Sequence, residues 1–287
     1  MRDIIQMALH HAQDKSDIVS QQPVSGGSIN ESFFVRTARQ TYFIKHHPNA
    51  PENFFAYEKE GLELIRSTQT IQVPKVYAHS DQPGRAYLVM EWVEGEKNSN
   101  TEYELGQGLA KLHQTNAARH GVHHDTYIGT LKQPNTLYNE WVDYYKECRL
   151  KTQLEIGVDL GSLTGRRREK LERIITDLNQ FIPKEIKPTY LHGDLWGGNW
   201  LTGSNGKPYL IDPSFLYGDR HFDIAFTELF GGFSKKFYQA YQEIYPLSSY
   251  YDDIKELYQL YYLLVHLNIF GEMYGSAVDR VLDKYAG

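Results

Sequence analysis

The residues best equipped for chemistry lie near one another in the chain. They are the run His192-Gly193-Asp194-Leu195-Trp196-Gly197-Gly198-Asn199 and, a little later, Leu210-Ile211-Asp212-Pro213. An Asp and an Asn five residues apart on one loop suit phosphoryl transfer. The carboxylate accepts the proton of an attacking hydroxyl, and the Asn holds a metal ion that neutralises phosphate charge. A second carboxylate, Asp212, stands at the end of an apolar strand-like run and is placed to reach a metal in the same cleft. Either Asp alone would more often be a turn or helix-cap residue. The order of loop, hairpin and second Asp makes the chemical reading prevail.

The protein-kinase catalytic loop reads His-Arg-Asp-x-x-x-x-Asn. Here Asp194 and Asn199 keep that spacing, His192 keeps its place and Gly193 replaces the arginine. Asp212 would correspond to the first residue of Asp-Phe-Gly, here Asp-Pro-Ser. Such a site also needs a strand lysine on the nucleotide phosphates and a helix glutamate to hold it. Lys45, after Tyr42-Phe43-Ile44, fits the first role, and Glu58 and Glu60 are both candidates for the second. A lone strand lysine is commonly an edge charge, and only the later loop raises Lys45 above that. Gly26 and Gly27, in Ser25-Gly26-Gly27-Ser28-Ile29-Asn30, would let backbone N–H groups approach phosphate. Met90, Glu91 and Trp92 would form the connector whose backbone holds adenine. Gly203-Ser204-Asn205-Gly206-Lys207 superficially suggests a phosphate loop, but the following Pro208 favours a hairpin turn.

These residues need elements to position them. The alternation of residues predicts strands over 32–37, 41–46, 75–79 and 86–93. Helical spacing of Phe55, Leu62 and Ile65 predicts a helix over 52–67. The polar stretch 95–100 loses all apolar periodicity, which places a boundary between 1–93 and 94–287. Beyond it the pattern is helical over 101–118, 166–181 and 251–274. One strand island, 199–201 with 209–211, carries the two acidic segments. The fold class expected is α+β: a bilobal protein-kinase-like fold with a β-rich first lobe and a mainly helical second.

Composition excludes several function classes. The net charge of −6 over 287 residues gives no support for a nucleic-acid partner. Arg166, Arg167 and Arg168 form the one compact basic run and read as a solvated helix end. The longest apolar stretch, 261–270, is interrupted by His266 and Asn268 and falls short of the ~20 residues of a membrane helix. With a single cysteine, Cys148, no intrachain disulfide is possible. These features fit a cytoplasmic protein. His120, His123 and His124 lack the spacing and companions of a zinc site and read as solvated loop residues.

On these residues the chain resembles the fructosamine kinase family, a branch of the aminoglycoside-phosphotransferase-like kinases. The likeness lies in 192–199 with its double glycine and Trp196, and in Ile211-Asp212-Pro213. Tyr217-Gly218-Asp219-Arg220 and Asp223-Ile224-Ala225 share it. So do Ile128-Gly129, Gln133-Pro134-Asn135, Trp141, Arg149 and the tail around Tyr262, His266, Leu267, Asn268 and Phe270-Gly271. It runs from about the glycine turn to the C-terminus.

The resemblance implies transfer of the γ-phosphate of ATP, with Mg2+, to the 3-hydroxyl of a ketosamine. Such 3-phosphates release the amine, so the family is regarded as deglycating. It selects Glu58 over Glu60, assigns Asp194 as base, and makes Asn199 and Asp212 the metal ligands. The acceptor carries a cationic amine, for which Asp219 is the candidate. Trp196 would pack on the sugar or its amine, and Gln133 and Asn135 mark the substrate side. Asp223 reads instead as a brace for the catalytic loop. The absence of a long activation segment argues against a phosphorylation-regulated protein kinase, but not against glycated lysines on proteins. Two alternatives stay open: a related kinase of aminoglycosides, choline or similar amino-alcohols, and a non-catalytic nucleotide-binding module.

Overall fold

The computed structural model describes residues 2–25 and 30–287. Gly26 and Gly27 lie outside them. The chain begins with α1 (Arg2–His11), β1 (Ile18–Val24), β2 (Glu31–Thr37), β3 (Thr41–His47), α2 (Phe54–Ser67), β4 (Val76–Ser80) and β5 (Ala86–Glu91). The five strands form one antiparallel sheet in the order β1-β2-β3-β5-β4. Period-two alternation on β3 decides what each face carries. Tyr42 and Ile44 point to a core with Ile5, Ala8 and Leu9 of α1. Lys45 points the other way, toward α2 and the cleft.

After an extended stretch come α3 (Thr101–His113), the hairpin β6 (Thr126–Ile128) and β7 (Leu131–Gln133), and α4 (Trp141–Tyr145). A π-helical turn, Lys146–Leu150, joins α4 to α5 (Lys151–Leu160), which is followed by α6 (Gly165–Asp177). Then come β8 (Thr189–Leu191), β9 (Trp200–Thr202), β10 (Pro208–Leu210) and β11 (Leu216–Gly218). The chain closes with α7 (Arg220–Leu229), α8 (Lys235–Ile244), α9 (Tyr251–Phe270) and α10 (Gly275–Ala286). Helix α9 is apolar nearly all round and sits in the middle of this half. Phe55, Leu62 and Ile65 of α2 join Trp141, Leu191, Phe222 and Tyr262 in one continuous core. No helix among the described residues is long and apolar enough to cross a membrane.

The expected elements are present with shifted ends. The helix expected over 101–118 stops at His113, because the chain turns to bridge Asn116 to Thr189 and Ala117 N–H to Pro188 O. That long pairing outweighs the local helical pattern. The helix expected to 274 ends at Phe270 and resumes as a short 3-10 turn, Glu272–Tyr274. In place of one strand island there are three two-stranded pairings: β9 with β10, β8 with β11, and β6 with β7. Strands of three residues are too short to alternate visibly, and it was the turn sequence at 203–206 that marked β9 and β10.

Two surface readings are corrected. His120 is fully buried: its backbone bridges Tyr138 and its Nε2 meets Ile186 O at 3.1 Å. Burial holds its pKa down to about 4. Arg167 is not a loose helix-end charge, since it pairs with Asp279 and Glu272 at 2.7 Å each.

Candidate active site

The antiparallel pair β8–β11 and the hairpin β9–β10 bring the two acidic segments together. His192 follows β8, and its ring Nε2 donates to Ile211 O at 2.8 Å. Its Nδ1 faces the Asp194 N–H at 3.3 Å. Burial lowers the pKa of His192 and keeps the ring neutral, which leaves one donor and one acceptor for these two bonds. Ile211 N–H donates to Asn199 O at 3.0 Å. The imidazole thus ties the loop bearing Asp194 to the strand end bearing Asp212.

Gly193 explains why glycine stands where protein kinases have arginine. Its φ is +82°, and a Cβ there would lie 1.9 Å from Ser214 O. No side chain fits between the loop and the segment after Asp212. The loop is fixed from behind by Asp223, in the first turn of α7. One carboxylate oxygen accepts from His192 N–H at 2.7 Å and the other from Gly193 N–H at 2.8 Å. His113 Nε2 approaches the first oxygen at 3.1 Å, and its Nδ1 faces Tyr241 OH at 2.8 Å. Burial keeps His113 neutral, so Nε2–H donates to Asp223 and the tyrosine hydroxyl donates to Nδ1. The brace expected of Asp223 is this geometry.

Asp194 is held by Asn199, whose Nδ2 donates to Asp194 O at 2.7 Å and to Oδ2 at 2.9 Å. Burial, and then the charge of Asp212, raises the Asp194 pKa well above the usual carboxylate value. That makes it a stronger base than an exposed Asp once ionised. Because Asn199 spends its NH2 on Asp194, its Oδ1 is the atom left for a hard cation.

Across the cleft, Lys45 Nζ pairs with Glu58 at 2.7 Å and with Asp212. Burial works against the ammonium, but the two carboxylates outweigh it and raise its pKa, so the lysine stays charged. Glu60 instead reaches His124 Nε2 at 2.7 Å, and His124 stacks on Tyr57 with ring centroids 4.1 Å apart. The choice of Glu58 therefore matches the observed pairing, and His124 is half-buried rather than a free loop residue. A cavity of about 140 Å³ opens here, lined by Lys45, Glu58, Asp194 and Asp212 and walled by Tyr57 and Tyr127.

Asp212 has φ +54°, a left-handed conformation that non-glycine residues avoid. Such strain persists only where surrounding contacts enforce it, and it clusters at functional sites. The connector is placed by β5. Met90 is buried in the core, where it pairs with Phe43 of β3 and Val76 of β4, and Glu91 ends the strand. Trp92 packs edge-on against Phe34, with centroids 4.7 Å apart.

Three of the expected substrate residues are placed elsewhere. Asp219 is buried as the N-cap of α7. His221 N–H and Nδ1 donate to Oδ1 at 3.0 and 2.7 Å, and Tyr258 OH to Oδ2 at 2.7 Å. Both oxygens are spent inside the fold, so it has none to offer an amine. Gln133 and Asn135 are likewise internal. Gln133 bonds Ser214 Oγ and Tyr261 OH at 2.6 Å each. Asn135 accepts from Tyr144 OH at 2.6 Å and from Arg149 at 3.1 Å.

Trp196, by contrast, is 42% exposed. Its ring lies over Gly198, and Gly197 packs on Gly232, so the double glycine lets the indole rest on loop backbone. Two residues before Gly232, Phe230 is 40% exposed and begins an aromatic shelf with His266 (centroids 4.8 Å), Tyr274 and Phe270. No role for Phe230 follows from sequence spacing; the contact of Gly197 with Gly231 and Gly232 brings the segment after it against the loop.

The family model described as fructosamine kinase matches residues 1–286. The chain is 40% identical to the "Probable ketoamine kinase" of Enterococcus faecium, over 92% of this chain and 94% of that protein. It is 32% identical to the chloroplastic protein-ribulosamine 3-kinase of Arabidopsis thaliana, over 91% and 81%. The crystal structure of a "putative fructosamine-3-kinase" from Haemophilus somnus superposes with a TM-score of 0.87 at 30% identity, covering 98% of this chain and 96% of that one. A matched family model over nearly the whole chain, on a kinase-like cleft of this construction, means that the protein belongs to the fructosamine kinase family.

Proposed function

We propose that the chain transfers the γ-phosphate of ATP to the 3-hydroxyl of ketosamines, sugars rearranged onto an amine, and so starts their deglycation. The observation that carries this is the cleft shared by Asp194, Asp212 and the Lys45–Glu58 pair, with Asn199 bonded to Asp194. Lys45 would bind the nucleotide phosphates, released from Asp212 as they arrive. The connector 90–92 would hold adenine through its backbone, and Gly26 and Gly27 would cover the phosphates.

The donor set fits magnesium. Asn199 Oδ1 and the Asp212 carboxylate are hard oxygens, and no group of three or more His, Cys, Asp or Glu gathers among the described residues. A metal here would draw its other ligands from phosphate and water, as magnesium prefers. When bound, it would neutralise charge on the transferring phosphate. Asp194, ionised, takes the proton of the sugar hydroxyl and orients its oxygen toward the phosphorus.

With Asp219 spent inside the fold, the acceptor's cationic amine is best met by ring faces. Trp196 is the exposed indole nearest the base, and an ammonium over indole gains about 0.5–2 kcal/mol. Free sugar-amines and glycated protein lysines both present that amine. We place the work in the cytoplasm and the division at 1–93 and 94–287, with nucleotide phosphates above and acceptor below.

The test is phosphate transfer from ATP with magnesium to a panel of a fructosyl-amine, a ribulosyl-amine, an aminoglycoside and choline. Turnover on a ketosamine is expected. Turnover confined to the aminoglycoside or choline would overturn the substrate assignment while leaving the site intact.

A further inference from the structure

Arg149 is a fully buried guanidinium whose hydrogen bonds go to no carboxylate. Its Nη1 donates to Cys148 O at 2.9 Å and Pro134 O at 3.3 Å, its Nη2 donates to Asn135 Oδ1 at 3.1 Å, and its Nε has no partner. The rings of Tyr144 and Tyr261 flank it at 4.8 and 5.7 Å. Burying a cation this way is costly, and removing its partners would be more so. It lies in the π-helical turn Lys146–Leu150, and inserted turns of this kind frequently mark functional places.

The contacts lead from Arg149 to the metal-side carboxylate. Asn135, gripped by Arg149 and Tyr144, donates to Gln133 O at 3.3 Å and to Thr126 Oγ1 at 2.9 Å, which fixes the β6–β7 hairpin. Gln133 Nε2 donates to Ser214 Oγ at 2.6 Å, and that hydroxyl donates to Tyr127 O at 3.1 Å. Ser214 is two residues after Asp212, whose left-handed backbone needs external enforcement. The carbonyl of Ser214 also packs on Gly193 of the catalytic loop. Pro213 leaves that segment without a backbone donor at its first position, so the Ser214 side chain is where the hairpin takes hold of it.

We propose that Arg149, Asn135, Gln133 and Ser214 form an internal strut of positioning residues that holds Asp212 in its metal-binding conformation. This rests on the kinase reading of the cleft. It gives the Gln-x-Asn segment a role in setting metal affinity rather than in touching the acceptor.

The experiment is calorimetric titration of ADP, with and without magnesium, into the wild type, Ser214→Ala, Gln133→Met and Arg149→Met. Loss of one buried link of this kind is expected to weaken the magnesium-dependent part of ADP affinity by about tenfold, roughly 1.4 kcal/mol. Affinity for metal-free ADP should be unchanged, and Ser214→Thr, which keeps the hydroxyl, should restore the gain. The double variant of Gln133 and Ser214 should be no worse than the poorer single, as for two ends of one link. If Arg149→Met does not fold, the variants at Ser214 and Gln133 decide. Ser214→Ala and Gln133→Met proteins that keep the full magnesium-dependent gain would overturn the strut. Wild-type protein that binds no ADP would instead overturn the kinase reading on which it rests.

Discussion

Replacing Asp223 by Asn tests how the catalytic loop is held, because it exchanges one carboxylate oxygen for an amide nitrogen and changes little volume. In the native protein the carboxylate accepts from His192 N–H at 2.7 Å and Gly193 N–H at 2.8 Å, and His113 supports it. All of these groups are buried. Hydrogen bonds to a charged acceptor contribute about 1.5–3 kcal/mol each. An Asn amide can accept one of the two N–H groups at neutral strength but turns its own NH2 toward the other. Two charge-assisted bonds become one ordinary bond and one donor facing a donor. The expected loss is about 2–5 kcal/mol, borne by the loop that carries Asp194. A displacement near 1 Å at a reacting group costs about 10²-fold in rate.

Asp223→Asn should therefore lower kcat by about two orders of magnitude while ADP affinity stays within a few-fold, because Lys45 and the connector are untouched. Steady-state kinetics on a ketosamine, with hydrogen exchange at the His192 and Gly193 amides, reads both halves. Unchanged kcat with unchanged amide protection would refute the brace.

Other outcomes follow from the same geometry. Asp194 is raised by burial and by Asp212, and it must be ionised to act. Activity should therefore fall as pH drops through a limb in kcat/KM that lies above the ordinary Asp range of about 4; a limb at or below 4 would remove Asp194 as base. Trp196→Ala should raise KM for the ketosamine by about tenfold with kcat little changed, the signature of a ring that binds an amine but does no chemistry. Equal KM would free Trp196 from that role. Gly193→Ala puts a methyl against Ser214 O at a positive φ, so a drop of 2 kcal/mol or more in unfolding free energy is expected, alongside lost activity. Thermal unfolding checks it. Asp14 is buried, yet bonds from Ser16, Thr37 and Tyr42 outweigh that burial and hold its pKa down to about 2. Its contribution to stability should be complete above pH ~4 and disappear as pH falls toward 2, a dependence that Asp14→Asn should abolish.

The parts of this site that were legible in the sequence are those where chemistry demands a residue type at a fixed spacing. Asp194, Asn199, Asp212 and Lys45 could be placed because one loop, one hairpin and one strand carry them. Glu58 was separable from Glu60 only through the family pattern, and the two glutamates indeed face different partners. Asp219, Gln133 and Asn135 show the limit. They look like substrate residues because they accompany the site, but their side chains are hydrogen-bonded inside the fold. Spacing along a chain does not distinguish a group that faces a cleft from one that faces inward. The same blindness hid β8 and β11, whose three-residue runs pair only with each other across a long stretch of chain, while β6 and β7 form a local hairpin too short to show alternation. His120 read as solvated for a related reason: its burial is created by Trp141 and Ile186, far away in sequence.

The most direct test of the central claim is to follow the phosphate. Wild-type protein with ATP, magnesium and a 13C-labelled ketosamine, observed by phosphorus and carbon NMR, should place the new phosphate on the sugar 3-oxygen. Asp194→Asn should slow that reaction by about 10²–10⁴-fold while still binding ATP. Phosphate on another oxygen, or Asp194→Asn turning over at the wild-type rate, would contradict the account.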